Sequence, residues 1–228
     1  MKTAAAANLK AVALYGSSVA GGFHAKHSTV NLLCLVERSD LASLDALRPV
    51  MEWWTRQGHA APLVFTLEEL RRSADVFAIE LLDMKAHHRM LHGSDFFGEI
   101  SVPLRYHRLQ VERELRTNWL KFRQHLLVLP PKREAQLELM LASVSSFATL
   151  FRHALIALGE PPAANKRDAV ARAAAQCGAS PAGFDAILDV REGKLAAGDV
   201  DAEKTVRAYF ALLEAMTNEV DRRLEEQA

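Results

Sequence analysis

The chain has 228 residues, half of them hydrophobic and a quarter charged, which excludes a disordered chain and is long enough for a substantial core. Lys and Arg together number 28, and so do Asp and Glu, so no global field draws in nucleic acid or an anionic membrane. No segment holds the roughly 18 uninterrupted apolar residues of a membrane span.

The N-terminus, with one Lys and then an alanine run, outwardly resembles a secretory leader. Lys10 breaks the apolar stretch, however, and Val12–Tyr15 reads as a core strand entering a Gly-Ser turn. Cys34 and Cys177 lie far apart, and Cys34 reads as a small core residue. Nothing requires an oxidising compartment, and a cytoplasmic protein is expected.

Leu9–Tyr15 and Val30–Val36 are short apolar runs that read as buried strands. Between them, Ser17–Phe23 is expected to form a short helix. Leu41–Gly58 has the apolar spacing of a helix, with Asp40 as N-cap and Gly58 as stop. Pro62–Phe65 is a third strand. Thr66 then caps a short helix, with Glu69 three residues on in the capping-box arrangement. Val76–Leu82 is expected to be a fourth strand and Arg89–His92 a fifth.

After about Pro103 the strand signals stop. Helices are expected over Arg105–Val128, Arg133–Leu158, Lys166–Cys177, Pro181–Arg191 and Ala202–Glu226. They are separated by Pro130-Pro131 and by Gly- and Pro-containing breaks. Leu109, Leu115, Leu120, Leu126 and Leu127 are expected to form one apolar stripe, and Phe147, Leu150, Phe151, Leu155 and Leu158 another. Both suit a bundle packing its own core.

Several chemistries find little support. No Gly-x-Ser-x-Gly elbow, Walker A loop or dinucleotide fingerprint is present. His24 and His27, and His88 and His92, have ligand-like spacing but no clear third ligand beside them. The basic clusters at Arg71-Arg72, Arg113–Arg123 and Arg222-Arg223 are interleaved with Glu and read as solvated helix faces. Trp53 and Trp54 cannot both face the core of one helix.

The stretch Leu14–Val36, LYGSSVAGGFHAKHSTVNLLCLV, resembles the nucleotidyltransferase superfamily, which includes aminoglycoside adenylyltransferases and DNA polymerase beta. Gly16-Ser17 match that family's Gly-Ser turn, and Gly21-Gly22 fall where it often has a Gly after the short helix. Ser28–Leu33 fall on its Ser-Asp-x-Asp-Leu-Leu strand. Glu80, or Asp83, falls near its third carboxylate. The helical half is similar too, with MLHGSDFF after a strand, a long helix containing ELR, and the late YFALLEAMTNEVD. The resemblance implies an α/β (α+β) nucleotidyltransferase-like domain with a mixed sheet over residues 1–103, followed by an all-α helical-bundle domain over 104–228.

The resemblance also implies a chemistry that the residues do not complete. Nucleotidyl transfer uses divalent metals on the triphosphate, and Mg²⁺ prefers anionic oxygen ligands. Alternate positions on a strand face one side, so positions 29 and 31 keep the family's geometry. Yet Thr29 offers a neutral hydroxyl and Asn31 a neutral amide. Only Glu80 and Asp83 remain as acidic candidates. Gly16 and Ser17 are candidates for cradling a phosphate, with Lys26 to neutralise its charge.

Three readings follow. The first is a degenerate, non-catalytic nucleotidyltransferase-like protein with a role in binding a nucleotide or small molecule or in regulation. The second is an active enzyme using Mg²⁺ and an NTP, with Glu80, Asn31 and Asp83 holding one metal. The third is an interaction protein that dimerises through its helical half. Neither a membrane nor a nucleic acid is expected as partner.

Overall fold

The computed structural model describes residues 8–19, 30–130 and 132–225. The chain divides into two compact units, one ending at Tyr106 and the other beginning at His107.

The first unit is built on four strands: β1 (Leu9–Tyr15), β2 (Asn31–Val36), β3 (Leu63–Phe65) and β4 (His88–His92). Their order is β3-β2-β1-β4. β1 pairs antiparallel with β2 and with β4, while β2 and β3 run parallel, so the sheet is mixed. The parallel pair needs a crossover, and helix α1 (Leu41–Arg56) supplies it. Asp40 caps α1 by accepting from the Ser43 N–H at 2.8 Å. Gly58, one residue past the C-cap, donates its N–H to the Thr55 carbonyl at 2.9 Å.

Alternation along the strands feeds two cores. Val12, Leu14, Leu32, Cys34 and Val36 pack with Leu47, Met51 and Trp54 of α1. Ala11, Ala13, Leu33 and Leu35 face the opposite way. They pack with Leu70 of α2 (Leu67–Arg72), with Leu81 and Met84 of α3 (Ala78–Ala86), and with Phe96, Phe97 and Ile100. The sheet is thus buried on both faces, which explains its near-continuous apolar strands. The expected capping box forms: Thr66 Oγ1 accepts from the Glu69 N–H, and Glu69 Oε2 accepts from the Thr66 N–H at 2.7 Å. Trp53 is exposed, while Trp54 is half-buried and donates its indole N–H to the Ala60 carbonyl at 2.7 Å.

One expected strand is a helix. Val76–Leu82 does not extend the sheet; α3 begins at Ala78 within it. Its buried positions, Ala78, Ile79, Leu81 and Met84, follow a helical stripe rather than strand alternation. A strand would have turned Ala78, Glu80 and Leu82 to one side, burying a carboxylate with them. The helix instead leaves Glu80 exposed.

The second unit is helical: α4 (Leu104–Val128, which starts just before the division), α5 (Arg133–Ala157), α6 (Lys166–Cys177), α7 (Ala182–Arg191) and α8 (Ala202–Glu225). Phe147, Leu150, Phe151, Leu155 and Leu158 are buried, as their spacing implies. Of the leucine stripe expected on α4, Leu115 is buried but most of the rest is not. His107, Val111, Leu115, Trp119 and Phe122 face the core, whereas Leu109, Leu120 and Leu127 are exposed. Bulky aromatic side chains here displaced leucine as the core material, and leucine counts alone misplace the face. α5 is long and apolar enough to cross a membrane by length and composition, but half of its most apolar window is buried within the protein. Its hydropathy is that of a core helix packed by α6, α7 and α8.

Candidate functional site

The site begins where β1 ends. Gly16 follows Tyr15 with φ +79°, a left-handed conformation that favours glycine, and opens a 3-10 turn, Gly16–Ser18. The turn is closed by the Val19 N–H donating to the Gly16 carbonyl at 3.0 Å. Tyr15 pairs across the sheet with Asn31 on one side and His88 on the other. This register brings Gly16 and Asn31 together: a Cβ added to Gly16 would lie 3.0 Å from Asn31 Nδ2. Asn31 is half-buried, two residues before Leu33, and shares its side of the strand. Ser17 lies inside the turn. Thr29 and Lys26 lie outside the described residues, as do Gly21, Gly22, His24 and His27.

No strand of the sheet contains an Asp or Glu: the four read LKAVALY, NLLCLV, LVF and HRMLH. The acids near the turn come from α3 instead. Glu80 and Asp83, one helical turn apart, line a cavity of about 370 Å³ together with Tyr15 and Gly16. The rest of its wall is Ser73 and apolar side chains: Leu33 from β2, Leu63 and Phe65 from β3, Leu70 from α2, and Phe77, Leu81 and Met84 at α3. Burial pushes the Tyr15 phenol above its ordinary pKa, so it remains a neutral hydroxyl.

Among the described residues, the strand positions beside the turn do not supply the donor set of a two-metal centre. Two divalent cations close together need several anionic oxygens to offset their repulsion. Described β2 positions offer one neutral amide, and the later strand that pairs with β1 offers two histidines. Among the described residues, no three His, Cys, Asp or Glu side chains converge on a possible metal position.

His88 has a structural role. Its ring nitrogens lie 2.9 Å from the Met84 carbonyl and 3.1 Å from Asp95 Oδ2, and its ring packs on Phe97. The backbone N–H of Phe97, and then His88, hold the Asp95 carboxyl below its ordinary pKa. These contacts fix the loop after β4 against the core.

A second polar constellation lies within the helical unit, and sequence reading missed it. Lys166, the first residue of α6, donates to Ser145 Oγ of α5 at 3.1 Å. Burial, then the charge of Arg191 on α7, then that of Arg152 on α5, push the Lys166 ammonium below its ordinary pKa. Three cations from three helices are thus near enough to repel one another. The N-terminus of α6 adds its dipole to that repulsion. Sequence reading places only the start of α6 at Lys166, because the other cations are remote in sequence.

The chain thus has a mixed four-stranded sheet with a Gly-Ser turn leaving the inner strand β1, followed by a helical unit, an architecture consistent with a nucleotidyltransferase-like fold. Neither a protein-family model nor a curated protein sequence matches the chain. Among solved structures, it is similar to spectinomycin adenyltransferase AAD(9) from Enterococcus faecialis, solved with ATP and spectinomycin. The TM-score is 0.53 at 13% identity, over 93% of this chain and 94% of that one. At this identity the likeness is one of fold.

Proposed function

We propose that the protein is a non-catalytic member of this fold class that binds a nucleotide or related anionic small molecule. The observation that carries the reading is the carboxylate-free sheet beside the Gly16 turn. On this reading, the described strands give Mg²⁺ no anionic ligand with which to activate a hydroxyl or stabilise leaving pyrophosphate. The turn itself retains what phosphate binding uses, namely backbone N–H groups at a tight Gly-containing bend. The ATP of the similar adenyltransferase also supports an anionic ligand.

Two measurements test this. Calorimetric titration with ATP in EDTA should show saturable binding that weakens in Ser17→Ala. Pyrophosphate release across a panel of NTPs, with Mg²⁺ or Mn²⁺, should stay at background. Turnover that disappears in Glu80→Ala would instead establish an active enzyme using the α3 carboxylates. Silence across the panel in both assays would leave an interaction protein. The exposed Leu109, Leu120 and Leu127 of α4 favour that reading, which predicts a concentration-dependent dimer by sedimentation.

A further inference from the structure

The cavity of the first unit has a composition that does not suit a triphosphate. Its floor, Leu33, Leu70, Leu81 and Met84, is almost fully buried. At its edge, Leu63 and Phe77 keep 39% and 45% of their surface exposed, so apolar area is left for an occupant to cover. Among the described residues, no Lys, Arg or His lines it, while Glu80 and Asp83 do. Among the described lining residues, a polyanion brought here would meet two carboxylates and no cation. About 370 Å³ lies within the size range of small-molecule sites.

We propose that this cavity binds a lipophilic organic cation, an amine or quaternary ammonium carried on an aliphatic or aromatic body. The apolar floor takes the body. The carboxylates, one turn apart on α3, attract the charged end, although neither is without a partner inside the protein. Three lining residues, Tyr15, Phe65 and Phe77, are aromatic, and aromatic rings attract cations where carboxylates alone would leave them solvated. A neutral hydrocarbon would gain only from the floor, and an anion would be repelled. The cavity shares Gly16 with the turn proposed to cradle a phosphate, so the two readings compete there. ATP binding in EDTA that shifts the Met84 methyl would overturn this proposal. ATP binding that leaves it unmoved would place the nucleotide elsewhere and leave the cavity to the cation.

The test uses the full chain and three probes of similar size: benzyltrimethylammonium, its uncharged isostere neopentylbenzene, and phenyl phosphate. Calorimetry gives the affinities, and the Met84 methyl resonance, assigned with Met84→Leu, reports the location. The cation should bind saturably and shift that methyl, with about tenfold or greater preference over the neutral isostere. The isosteric double variant Glu80→Gln/Asp83→Asn should remove most of that preference while leaving neopentylbenzene binding unchanged. Equal affinity for the cation and neopentylbenzene would overturn the proposal. So would phenyl phosphate binding that shifts Met84, or cation binding that leaves Met84 unmoved or is insensitive to the double variant. Absence of cation binding in a folded wild-type chain would overturn it as well.

Discussion

Asn31 lies against the turn residue that has no side chain: a Cβ on Gly16 would stand 3.0 Å from Asn31 Nδ2. The turn and Asn31, the position that the motif resemblance would align with a metal carboxylate, therefore lie side by side. Gly16→Ala should strain the backbone at φ +79° and press on that amide. The far end of the Asn side chain can move, so strain dominates, and the expected loss is about 1–2 kcal/mol. Urea unfolding should show it, with an Asn31 side-chain amide shift in the NMR spectrum.

Restoring charge tests the same geometry from the other direction. Thr29→Asp with Asn31→Asp should raise Mg²⁺ affinity above that of the natural chain, measurable by calorimetry. Asn31→Asp alone, which supplies one carboxylate, should bind more weakly than the double variant. If the double variant gains no affinity, positions 29 and 31 do not share a pocket, and the register assigned from the family motif is wrong.

Much of the first unit was legible because its signals are local. Asp40, Gly58 and the Thr66–Glu69 pair mark ends that capping chemistry fixes within a few residues. The error at Val76–Leu82 has a physical basis. A short apolar run satisfies a buried strand and a buried helix equally, and only packing against β1 and β2 decides. That error concerned the site directly, since it moved Glu80 from strand to helix. The α4 stripe failed similarly, because His107 and Trp119 outcompete Leu109 and Leu120 for the core. The cavity and the Lys166 cluster depend on long-range juxtaposition, which no local pattern encodes.

Lys166 offers a prediction with a definite sign. Its depressed pKa means that the unfolded chain holds this proton more tightly than the folded one. Stability should therefore rise with pH as the range between its folded and unfolded values is crossed, and a penalty remains at neutral pH. Lys166→Met should relieve repulsion with Arg191 and Arg152, raising stability by a few tenths to about 1 kcal/mol in dilute buffer. Phosphate or ATP should raise the melting temperature of the natural chain more than that of the variant. The reverse ranking would count against an anion site.

Acid should loosen the α6–α7 pair. Arg167 donates to Glu192 Oε2 at 2.8 Å and to Asp189 Oδ1 at 2.6 Å, and Lys194 also reaches Glu192 at 2.8 Å. The hydrogen bond from Arg167, then that from Lys194, hold the Glu192 carboxyl at about 2. A lowered carboxyl contributes stability above its unfolded pKa and loses it as pH falls toward the folded value. The window therefore runs from about 4.5 down to about 2. Asp185, raised by burial, opposes part of the effect. After solvent screening, Glu192→Gln should cost about 1 kcal/mol at neutral pH and almost nothing near pH 2. Denaturant midpoints at the two pH values measure the difference.

The contact between α7 and α8 should be the least forgiving in the helical unit. A Cβ on Gly183 would stand 2.3 Å from the Tyr209 backbone nitrogen and 2.8 Å from the Ala208 carbonyl carbon. Neither atom belongs to a side chain that could rotate away, so the helices must separate. The next residue, Phe184, stacks on the Tyr209 ring with centroids 3.9 Å apart and planes within 5°. Separation would disturb that stack and the 2.9 Å hydrogen bond between Tyr209 and Ser143. Gly183→Ala should therefore cost about 2–3 kcal/mol and flatten the near-ultraviolet circular dichroism. Tyr209→Phe keeps the ring and removes only the hydroxyl, and should cost about 1 kcal/mol with the aromatic signal largely retained. A Gly183→Ala variant no less stable than Tyr209→Phe would show that the helices can part without loss, and that this contact does not hold the bundle together.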